Sequence, residues 1–482
     1  MNNDPLYTTN RDRLKDIWLI PGILISIFLG WLVSGKGMSV GVLLSVFPFL
    51  AGFFVLIFLK PRIGLIFFLI YCFIMPTLGK HIDGLQAGLG QDALLILTWL
   101  GIIFQRTRVY KFRHLNNDLM WLTFVWFVIT VLEIANPERP SILGWVYEMR
   151  SATLYWILSV PLVFLVFNKK SDIDLFFNII IILSLIGAIY GAKQLMIGPD
   201  AAENRWLEAG AKKTHVLFGK LRVFSYYSDA AQFGSSQAHV SIMCLILASG
   251  AHSFSKKLWY AFAGVIIFYG MLISGTRGAL FAFVGGGATF LVLSKQVKIL
   301  ILGGVLGLAF LGMLKYTNIG SGNQQINRMR TSLDPEDASF QVRLINQKIL
   351  KDYLASRPFG TGVGTIGMWG VTYNADKYIS RIPPDSLYVK IWAMYGIVGF
   401  ILWLGIMLYI TGKSAGIIWN TRDPVLRNQL AALCGGATGV LLCSYGNEVL
   451  NAMPTSAIVY ISWGLIWLSP RWDKPQPKTI EI

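Results

Sequence analysis

Long apolar stretches alternate with polar loops along almost the whole chain of 482 residues. About fourteen of these stretches approach the roughly 17–25 residues that a helix needs to cross a bilayer. They lie at 17–35, 39–58, 63–79, 92–105, 118–134, 152–167, 173–192, 235–252, 258–274, 278–294, 299–314, 386–411, 428–445 and 455–469. Within a bilayer, a helix satisfies its own backbone hydrogen bonds. The pattern therefore predicts an all-α polytopic membrane protein with about fourteen transmembrane helices and a long, partly helical outer loop.

Basic residues recur in every second loop, from Lys60 and Arg62 near the N-terminus to the tail that contains Arg471. By the positive-inside rule, this alternation predicts that both termini are cytoplasmic. A medium loop and a long loop then lie on the outer face. The predicted organisation is a cytoplasmic tail 1–16, transmembrane helices 17–192, a medium outer loop 193–234, transmembrane helices 235–314, a long outer loop 315–385, transmembrane helices 386–469 and a cytoplasmic tail 470–482.

The composition excludes an ordinary soluble protein, because 54% of the residues are hydrophobic, only 14% are charged and the mean hydropathy is +0.56. The formal net charge is +17, and both outer loops are basic. This basicity suggests an acidic, phosphate-bearing ligand, or else general solvation of a surface loop. The four cysteines and five histidines lack metal-ligand spacing. The cysteines and histidines thus give no indication of a metal site. The sequence also gives no indication of a cofactor or a nucleic-acid partner.

Arg277 is the only charged residue between Leu258 and Leu293, and it lies in the turn that separates two predicted spans. Gly275 and Gly278 allow that turn to be sharp and allow a ligand to approach the backbone. A guanidinium beside the N-terminus of the next helix suits a phosphate group. A charge at this depth is costly and therefore indicates function. The alternative is an interfacial arginine that binds lipid headgroups.

Four further residues are candidates, each with a structural alternative. Arg222 lies close to aromatic residues. It is either a ligand-binding arginine or an anchor in the aromatic belt of the membrane. Arg343 lies on a predicted loop helix, where a solvated face is the alternative. Asp385 directly precedes the apolar segment 386–411. It is predicted either to be the N-cap of that helix or to act as a base that takes a proton from a hydroxyl. Glu448 is a weaker candidate base in the last outer turn, where it is otherwise a plain turn residue.

The long loop is expected to contain one helix and one tight bend. Asp334 is the predicted cap of the helix and Pro335 its first residue. Its apolar positions recur at helical spacing: Val342, Ile345, Ile349, Leu350 and Tyr353. The glycine bend, Gly360–Gly364, resembles a phosphate loop but lacks the G-K-[ST] ending, which argues against nucleotide binding.

Taken in order, these motifs resemble the O-antigen ligase and O-antigen polymerase superfamily of bacterial membrane glycan transferases. The turn around Arg277 resembles the S-x-S/T-R-G element of that superfamily, and Arg222 resembles the arginine before an earlier span. Arg343 with the glycine bend resembles its R…P-x-G-x-G stretch, and the segment from Asp385 to Gly399 resembles its closing stretch. The resemblance covers roughly residues 170–450. Ligases of the family usually have His where this chain has Asp385, which mildly favours a polymerase or a divergent branch.

The resemblance implies a metal-independent glycosyltransferase at the periplasmic face of the bacterial inner membrane, active in O-antigen, lipopolysaccharide or exopolysaccharide biosynthesis. The implied donor is a glycan linked to polyprenyl (undecaprenyl) diphosphate. The implied acceptor is a hydroxyl of lipid A core or of a second lipid-linked glycan. Arg277, Arg222 and Arg343 would bind the diphosphate as its charge develops. Asp385 would orient or deprotonate the acceptor, with Glu448 as the weaker candidate.

Two other classes of function remain open at this point. A transporter, of an ion or of the lipid-linked glycan itself, usually places polar groups near the bilayer midplane at broken helices. In this chain the charges are predicted at the outer surface instead. A scaffold within a polysaccharide-export complex would have the same helices and no transfer activity.

Overall fold

The computed structural model describes residues 38–473, apart from 83, 106–109, 218, 252, 296, 319–326, 329, 331–333 and 335, together with 26–28 and 30. The predicted N-terminal tail, most of the predicted span 17–35 and the chain beyond residue 473 lie outside these residues. The described part is almost entirely helical. Its one described sheet is a hairpin of two short antiparallel strands, Val216–Leu217 and Lys220–Leu221. The predicted all-α class is confirmed, with this hairpin as a small addition.

Among the residues that the structure describes from 38 to 221, there are nine α-helices followed by the hairpin strands β1 (Val216–Leu217) and β2 (Lys220–Leu221). The helices are α1 (Met38–Leu59), α2 (Pro61–His81), α3 (Gly88–Phe104), α4 (Asp118–Leu132), α5 (Ile142–Met149), α6 (Tyr155–Val166), α7 (Ser171–Met196), α8 (Ala201–Trp206) and α9 (Lys212–His215). A π-helical turn, Arg150–Leu154, joins α5 to α6. The predicted span 152–167 therefore belongs to a longer helical segment that begins at Ile142.

The C-terminal half contains the helices that carry the candidate residues. They are α10 (Ala230–Gly250), α11 (Phe254–Ile273), α12 (Arg277–Leu293), α13 (Val297–Tyr316), α14 (Ala338–Leu354), α15 (Gly367–Tyr373), α16 (Leu387–Asn420), α17 (Pro424–Cys443) and α18 (Thr455–Leu468). Every predicted span from 39–58 onward overlaps one of the helices.

Seven helical segments among the described residues are long and apolar enough to cross a membrane. They are Pro61–His81, Asp118–Ala135, Ile142–Val166, Ser171–Met196, Phe254–Ile273, Leu387–Asn420 and Pro424–Cys443. Four shorter apolar stretches, including Arg277–Leu293, fall below that length. The chain is a multi-pass membrane protein, while the number fourteen and the placement of the long loop outside the membrane stay predictions.

Helices α12 and α17 pack closely because small residues face each other. Gly286 and Gly435 are in contact, and a Cβ at Gly286 would lie 2.9 Å from the Gly435 carbonyl oxygen. One turn away, a Cβ at Gly439 would lie 2.2 Å from the carbonyl oxygen of Ala282. Small residues at a four-residue spacing allow two membrane helices to approach backbone to backbone. This contact fixes Arg277, at the start of α12, beside the turn that follows α17.

Helix α10 lies at the centre of the bundle, against α7, α11, α12 and α17. Most of its residues are buried, although it carries a run of polar side chains that includes Gln232, Gln237 and His239. This polar content explains why α10 is absent from the membrane-crossing candidates. The predicted span 235–252 is therefore a buried, central helix whose sequence is too polar to face lipid.

The charged residues of the bundle are divided between its two ends. Arg277, Asp385 and Glu448 lie at the end where α10, α12 and α16 begin, which we call the site end. At the opposite end Lys170 forms an ion pair with Asp423, at the start of α17. The basic loops that the sequence places in the cytoplasm thus lie opposite the candidate residues.

The long helix α16 is broken near its start by Gly396, which has φ 66° and ψ −172°. The glycine bend packs against this break. The backbone N–H groups of Thr361 and Gly362 donate to the carbonyl groups of Ala393 and Met394, at 3.0 and 2.9 Å. The bend therefore holds the first segment of α16 in place at the site end, as a tight bend rather than a phosphate loop.

We expect the substitution Gly439→Ala to destabilise the protein, because the added methyl group would lie 2.2 Å from the Ala282 carbonyl oxygen. Overpacking of this kind costs about 1–3 kcal/mol. The measurement is the apparent melting temperature of the purified protein in detergent. Gly304→Ala in α13 is the matched control, because a Cβ there meets nothing within 4 Å. A melting temperature equal to that of Gly304→Ala would contradict the close contact between α12 and α17.

Candidate functional site

The turn before α12 is fixed by its own hydrogen bonds. Gly275 adopts φ 58°, a left-handed conformation that glycine reaches without steric cost. The backbone N–H of Thr276 donates to Ser274 Oγ at 3.1 Å. Thr276 Oγ1 in turn donates to the carbonyl oxygen of Ala230 at 2.7 Å, the first residue of α10. Arg277 therefore begins α12 in a defined position beside the start of α10.

Arg222 is positioned by the hairpin of the medium loop. Its backbone N–H donates to the His215 carbonyl at 2.7 Å, and its Nη1 donates to the Thr214 carbonyl at 3.1 Å. The His215 ring packs edge-on against Phe224, and its Nε2 accepts from the backbone N–H of Ala230 at 3.2 Å. The loop thus attaches Arg222 to the start of α10.

Arg222, Arg277 and Arg328 form an arginine cluster around the same turn. Arg328 Nε donates to the carbonyl of Gly275 at 3.0 Å, and Arg222 Nη2 lies 3.5 Å from Thr276 Oγ1. Burial, together with the positive charges of Arg222 and Arg277, lowers the pKa of Arg328 to about 10, although Asp337 opposes this shift. The three guanidinium groups therefore repel one another, and a bound anion would relieve that repulsion.

Two buried donor atoms in the arginine cluster lack a partner among the described residues. The Nε atoms of Arg222 and Arg277 are both buried and donate to no atom of the described residues. Burial lowers the pKa of Arg222, and the charge of Arg277 adds to that effect, while Asp229 opposes it. Since buried donors are normally hydrogen-bonded, these two donors remain to be satisfied by an acceptor such as a phosphate oxygen.

Arg277 also forms an ion pair with Asp337, through its Nη1. The carbonyl of Asp337 accepts from the backbone N–H groups of Phe340 and Gln341, at 2.9 and 3.0 Å, so Asp337 lies at the start of α14. The described helix begins at Ala338, about one turn after the predicted cap Asp334, while Pro335, the predicted first residue, lies outside the described residues. Asp337 provides the helix start with its backbone and leaves its side chain to Arg277.

A second site lies next to the arginine cluster, in a cavity of about 230 Å³. Six of its ten lining residues are polar or charged, and they include both signs of charge. The lining residues are Asp229, Ala231, Gln232, Arg343, Pro384, Asp385, Asn447, Glu448, Val449 and Ala452. The Asn447 side chain separates the cavity from α12, since a Cβ at Gly278 would lie 2.2 Å from Asn447 Nδ2. The cavity and the arginine cluster are therefore direct neighbours.

Arg343 reaches this cavity from α14. It is half-buried, and its Nη1 lies 3.6 Å from the position of a Cβ at Gly446. Of the predicted apolar stripe on α14, Leu350 is fully buried, whereas Val342 and Ile345 are more than half exposed. The apolar stripe is therefore only partly a packing surface. Arg343 lines the cavity and is also partly exposed to solvent.

The alternative role of Asp385 as an N-cap is wrong. Ser386 is the N-cap of α16, and its side chain accepts from the backbone N–H of Val389. Asp385 precedes it with φ 47°, a left-handed conformation that is costly for a residue with a side chain. The Asp385 side chain is exposed and lines the cavity. Its carboxylate is thus presented at the cavity and takes no part in helix capping.

Glu448 has an ion-pair partner that the sequence did not suggest. Its Oε2 lies 2.8 Å from Nζ of Lys390, and the same Nζ lies 2.9 Å from Oε2 of Glu148. The three side chains form a charge triad that runs from α5 through α16 to the cavity. The role of Glu448 as a plain turn residue does not account for this contact.

The structure brings the five predicted residues together in two groups. Arg343, Asp385 and Glu448 line the cavity. Arg222 and Arg277 lie in the arginine cluster, where Arg222 helps to line a small recess with Arg328. The three predicted arginines thus share the site end without lining one common cavity.

Four charged residues of the site were not predicted: Arg328, Asp337, Lys390 and Glu148. Lys390 has a signal similar to that of Arg277, because it is the one charge in the predicted span 386–411, as Arg277 is the one charge between Leu258 and Leu293. Arg328 lies in the short basic stretch of the long loop that also contains Arg330. Asp337 was assigned to a helix start, which concealed its contact with Arg277.

We expect Asp337→Asn to strengthen anion binding, because the Asp337 carboxylate occupies Arg277 Nη1 and offsets the charge of the cluster. The apparent affinity for inorganic diphosphate should rise by about tenfold, which corresponds to about 1.4 kcal/mol. The measurement is the shift of melting temperature on titration with diphosphate. Asp334→Asn is the matched control, because the exposed Asp334 side chain accepts from the backbone N–H of Glu336 and forms no ion pair with the arginine cluster among the described residues. Equal affinity in both variants would exclude competition at Arg277.

A comparison with known families assigns the part of the chain that contains most of these residues. The family model described as O-antigen ligase matches residues 262–404, from within α11 to within α16. A search of curated proteins gives no match. The family match supports a membrane protein of glycan transfer in general, and it does not favour the transporter alternative. Residues 262–404 are thus similar to the O-antigen ligase family, in agreement with the resemblance of the motifs to the ligase and polymerase superfamily.

Proposed function

We propose that the protein transfers a glycan from a polyprenyl diphosphate to an acceptor hydroxyl at the periplasmic face of the bacterial inner membrane. The observation that carries the proposal is the arginine cluster, in which Nε of Arg222 and Nε of Arg277 are buried without a partner among the described residues, directly beside a cavity lined by three carboxylates. The first site suits a diphosphate and the second suits sugar hydroxyls. The family match to O-antigen ligases supports the same chemistry.

The donor half of the reaction takes place at the arginine cluster. As the bond between the sugar C1 and the diphosphate oxygen breaks, negative charge develops on the leaving polyprenyl diphosphate. Arg277, Arg222 and Arg328 would stabilise that charge through bidentate hydrogen bonds, which are stronger than neutral ones. Arg343, which lines the adjacent cavity, is placed to contact the diphosphate on its acceptor side. The lipid tail extends into the bilayer along the membrane helices.

The acceptor half of the reaction takes place in the cavity. The acceptor hydroxyl oxygen attacks C1 and forms the new glycosidic bond, and its proton passes to the Asp385 carboxylate. The polyprenyl diphosphate leaves with the electron pair of the broken bond. General base catalysis of this kind contributes about 10²–10⁴-fold to the rate. Glu448, whose second oxygen remains available beside its Lys390 contact, would accept a hydrogen bond from the acceptor and orient it.

The nature of the acceptor decides between a ligase and a polymerase. Lipid A core would make the protein a ligase, whereas a second lipid-linked glycan would make it a polymerase. The presence of Asp385 in place of the usual ligase histidine favours the polymerase or a divergent branch. Purified protein in proteoliposomes, supplied with a lipid-linked oligosaccharide and each acceptor in turn, distinguishes the two by the size of the product on a gel. A scaffold would give no product with either acceptor.

We expect Arg277→Ala to lower kcat/KM for the lipid-linked donor by about 10²–10³-fold, because it removes a donor to the developing charge. Arg277→Lys should restore only part of this loss, since an ammonium group cannot make the bidentate contact. The measurement is initial-rate kinetics in proteoliposomes at saturating acceptor. Arg330→Ala is the matched control from the same basic stretch as Arg328, and it should stay within about twofold of the wild type. Normal turnover by a folded Arg277→Ala protein would refute the proposal.

We expect Asp385→Asn to lower kcat by about 10²–10⁴-fold, because the amide cannot accept the acceptor proton. The KM for the donor should change little, since Asp385 lies at the cavity and away from the arginine cluster. The folded state should be preserved, because Ser386 provides the helix cap and Asp385 is exposed. A rate close to the wild type would assign the base elsewhere, with Glu448 as the next residue to test.

A further inference from the structure

The three side chains of the charge triad, Glu148, Lys390 and Glu448, are buried to different degrees. Glu148 is fully buried, the side chain of Lys390 is 8% exposed, and that of Glu448 is 32% exposed. The triad therefore begins in the protein interior and ends at the cavity. Its outermost member is the only one of the three that can meet a ligand.

The surroundings of Lys390 leave its ammonium group little freedom. A Cβ at Gly367 would lie 3.5 Å from both Cε and Nζ of Lys390, and 3.9 Å from Glu448 Oε1. Gly367 has φ 73°. Because glycine has no side chain, the backbone of the long loop passes close to the triad at this residue. Lys390 follows Ser386 by one helical turn in the first segment of α16, which the glycine bend holds in place.

The charges of the triad do not balance. One ammonium group faces two carboxylates, and a buried pair of Lys390 and Glu148 would already be neutral without Glu448. The oxygens of Glu148 accept no hydrogen bond of good geometry from the described residues, although Lys390 lies within ion-pair distance. Buried ion pairs contribute little to stability compared with well-packed apolar residues. A role at the cavity explains their presence better than a role in stability.

We propose that Lys390 is a positioning residue that holds the Glu448 carboxylate in a fixed orientation toward the acceptor, with Glu148 fixing Lys390 from behind. This inference rests on the proposed function, in which the cavity binds the acceptor. Glu448 lies in a turn outside the helices, where a carboxylate without a partner would populate several rotamers. The contact with Lys390 selects one of them before the acceptor arrives, and such pre-organisation lowers the cost of binding and orientation.

The test removes both buried charges together, because the loss of one alone would leave the other unpaired in the interior. The double variant K390M/E148L keeps similar side-chain volumes and frees Glu448 from its partner. The readout is steady-state transfer by the full-length protein in proteoliposomes, with a polyprenyl-diphosphate-linked oligosaccharide as donor. We expect kcat/KM for the acceptor to fall by about tenfold or more, while KM for the donor stays within about twofold.

A double-mutant cycle shows whether Lys390 acts through Glu448. E448Q should reproduce the acceptor defect, and the triple variant K390M/E148L/E448Q should be no worse than E448Q within about twofold. Losses that multiply in the triple variant would overturn the inference, because they would show that Lys390 acts independently of Glu448. The matched control is E138L/R357M, which removes an ion pair whose residues do not line the cavity, and it should leave acceptor kcat/KM unchanged.

A further variant covers the case in which K390M/E148L does not fold. K390R retains the positive charge, but its larger head group cannot occupy the position beside Gly367, and we expect acceptor kcat/KM to fall. Acceptor kinetics equal to the wild type in a folded K390M/E148L or K390R protein would overturn the positioning role and leave the proposed function intact. A wild-type protein that transfers no glycan would overturn the proposed function itself, and the two failures are therefore distinguishable.

Discussion

The close contact between α12 and α17 is the constraint on which the site depends. Small residues allow the two backbones to meet at Gly286 and Gly435, and again at Ala282 and Gly439. The contact continues at Gly278, against the side chain of Asn447. The start of α12 and the turn after α17 are consequently fixed relative to each other. One of these segments carries Arg277 and the other carries Glu448, so the positions of the two proposed half-sites follow from one helix–helix contact.

The electrostatics of the two half-sites are opposite in sign. Three guanidinium groups in the arginine cluster face Asp229 and Asp337, which leaves an excess of positive charge. In the cavity and the triad behind it, Arg343 and Lys390 are outnumbered by three further carboxylates: Glu148, Asp385 and Glu448. A leaving group that gains negative charge and an acceptor that loses a proton have opposite requirements. Neighbouring regions of opposite excess charge meet both requirements within one site.

The sequence predicted the helices better than it predicted the contacts between side chains. Apolar runs gave the helical segments from residue 39 onward, because hydrophobic length alone decides them. Arg277 could be identified because its charge is isolated. The contact of Lys390 with Glu148 joins residues more than 200 positions apart, and no local pattern encodes such a pair. The N-cap of α16 is Ser386, one residue after Asp385, which the sequence offered as a cap. Asp and Ser are equally good capping residues, and only the backbone conformation distinguishes them.

The break of α16 at Gly396 explains how the long loop and the membrane helices combine in one site. In a continuous helix, the packing of the membrane portion alone would fix the orientation of the first turns. Since the break interrupts that continuity, the orientation of the first segment depends on the glycine bend, whose N–H groups donate to Ala393 and Met394. That segment carries Lys390 and follows directly after Asp385. The carboxylate proposed as the base and the lysine proposed to position Glu448 are therefore oriented by the loop, while Arg277 is oriented by the bundle. In the proposed reaction, correct alignment of donor and acceptor would thus require the loop to dock against α16, and the glycine bend would be as necessary to the proposed site as the charged residues.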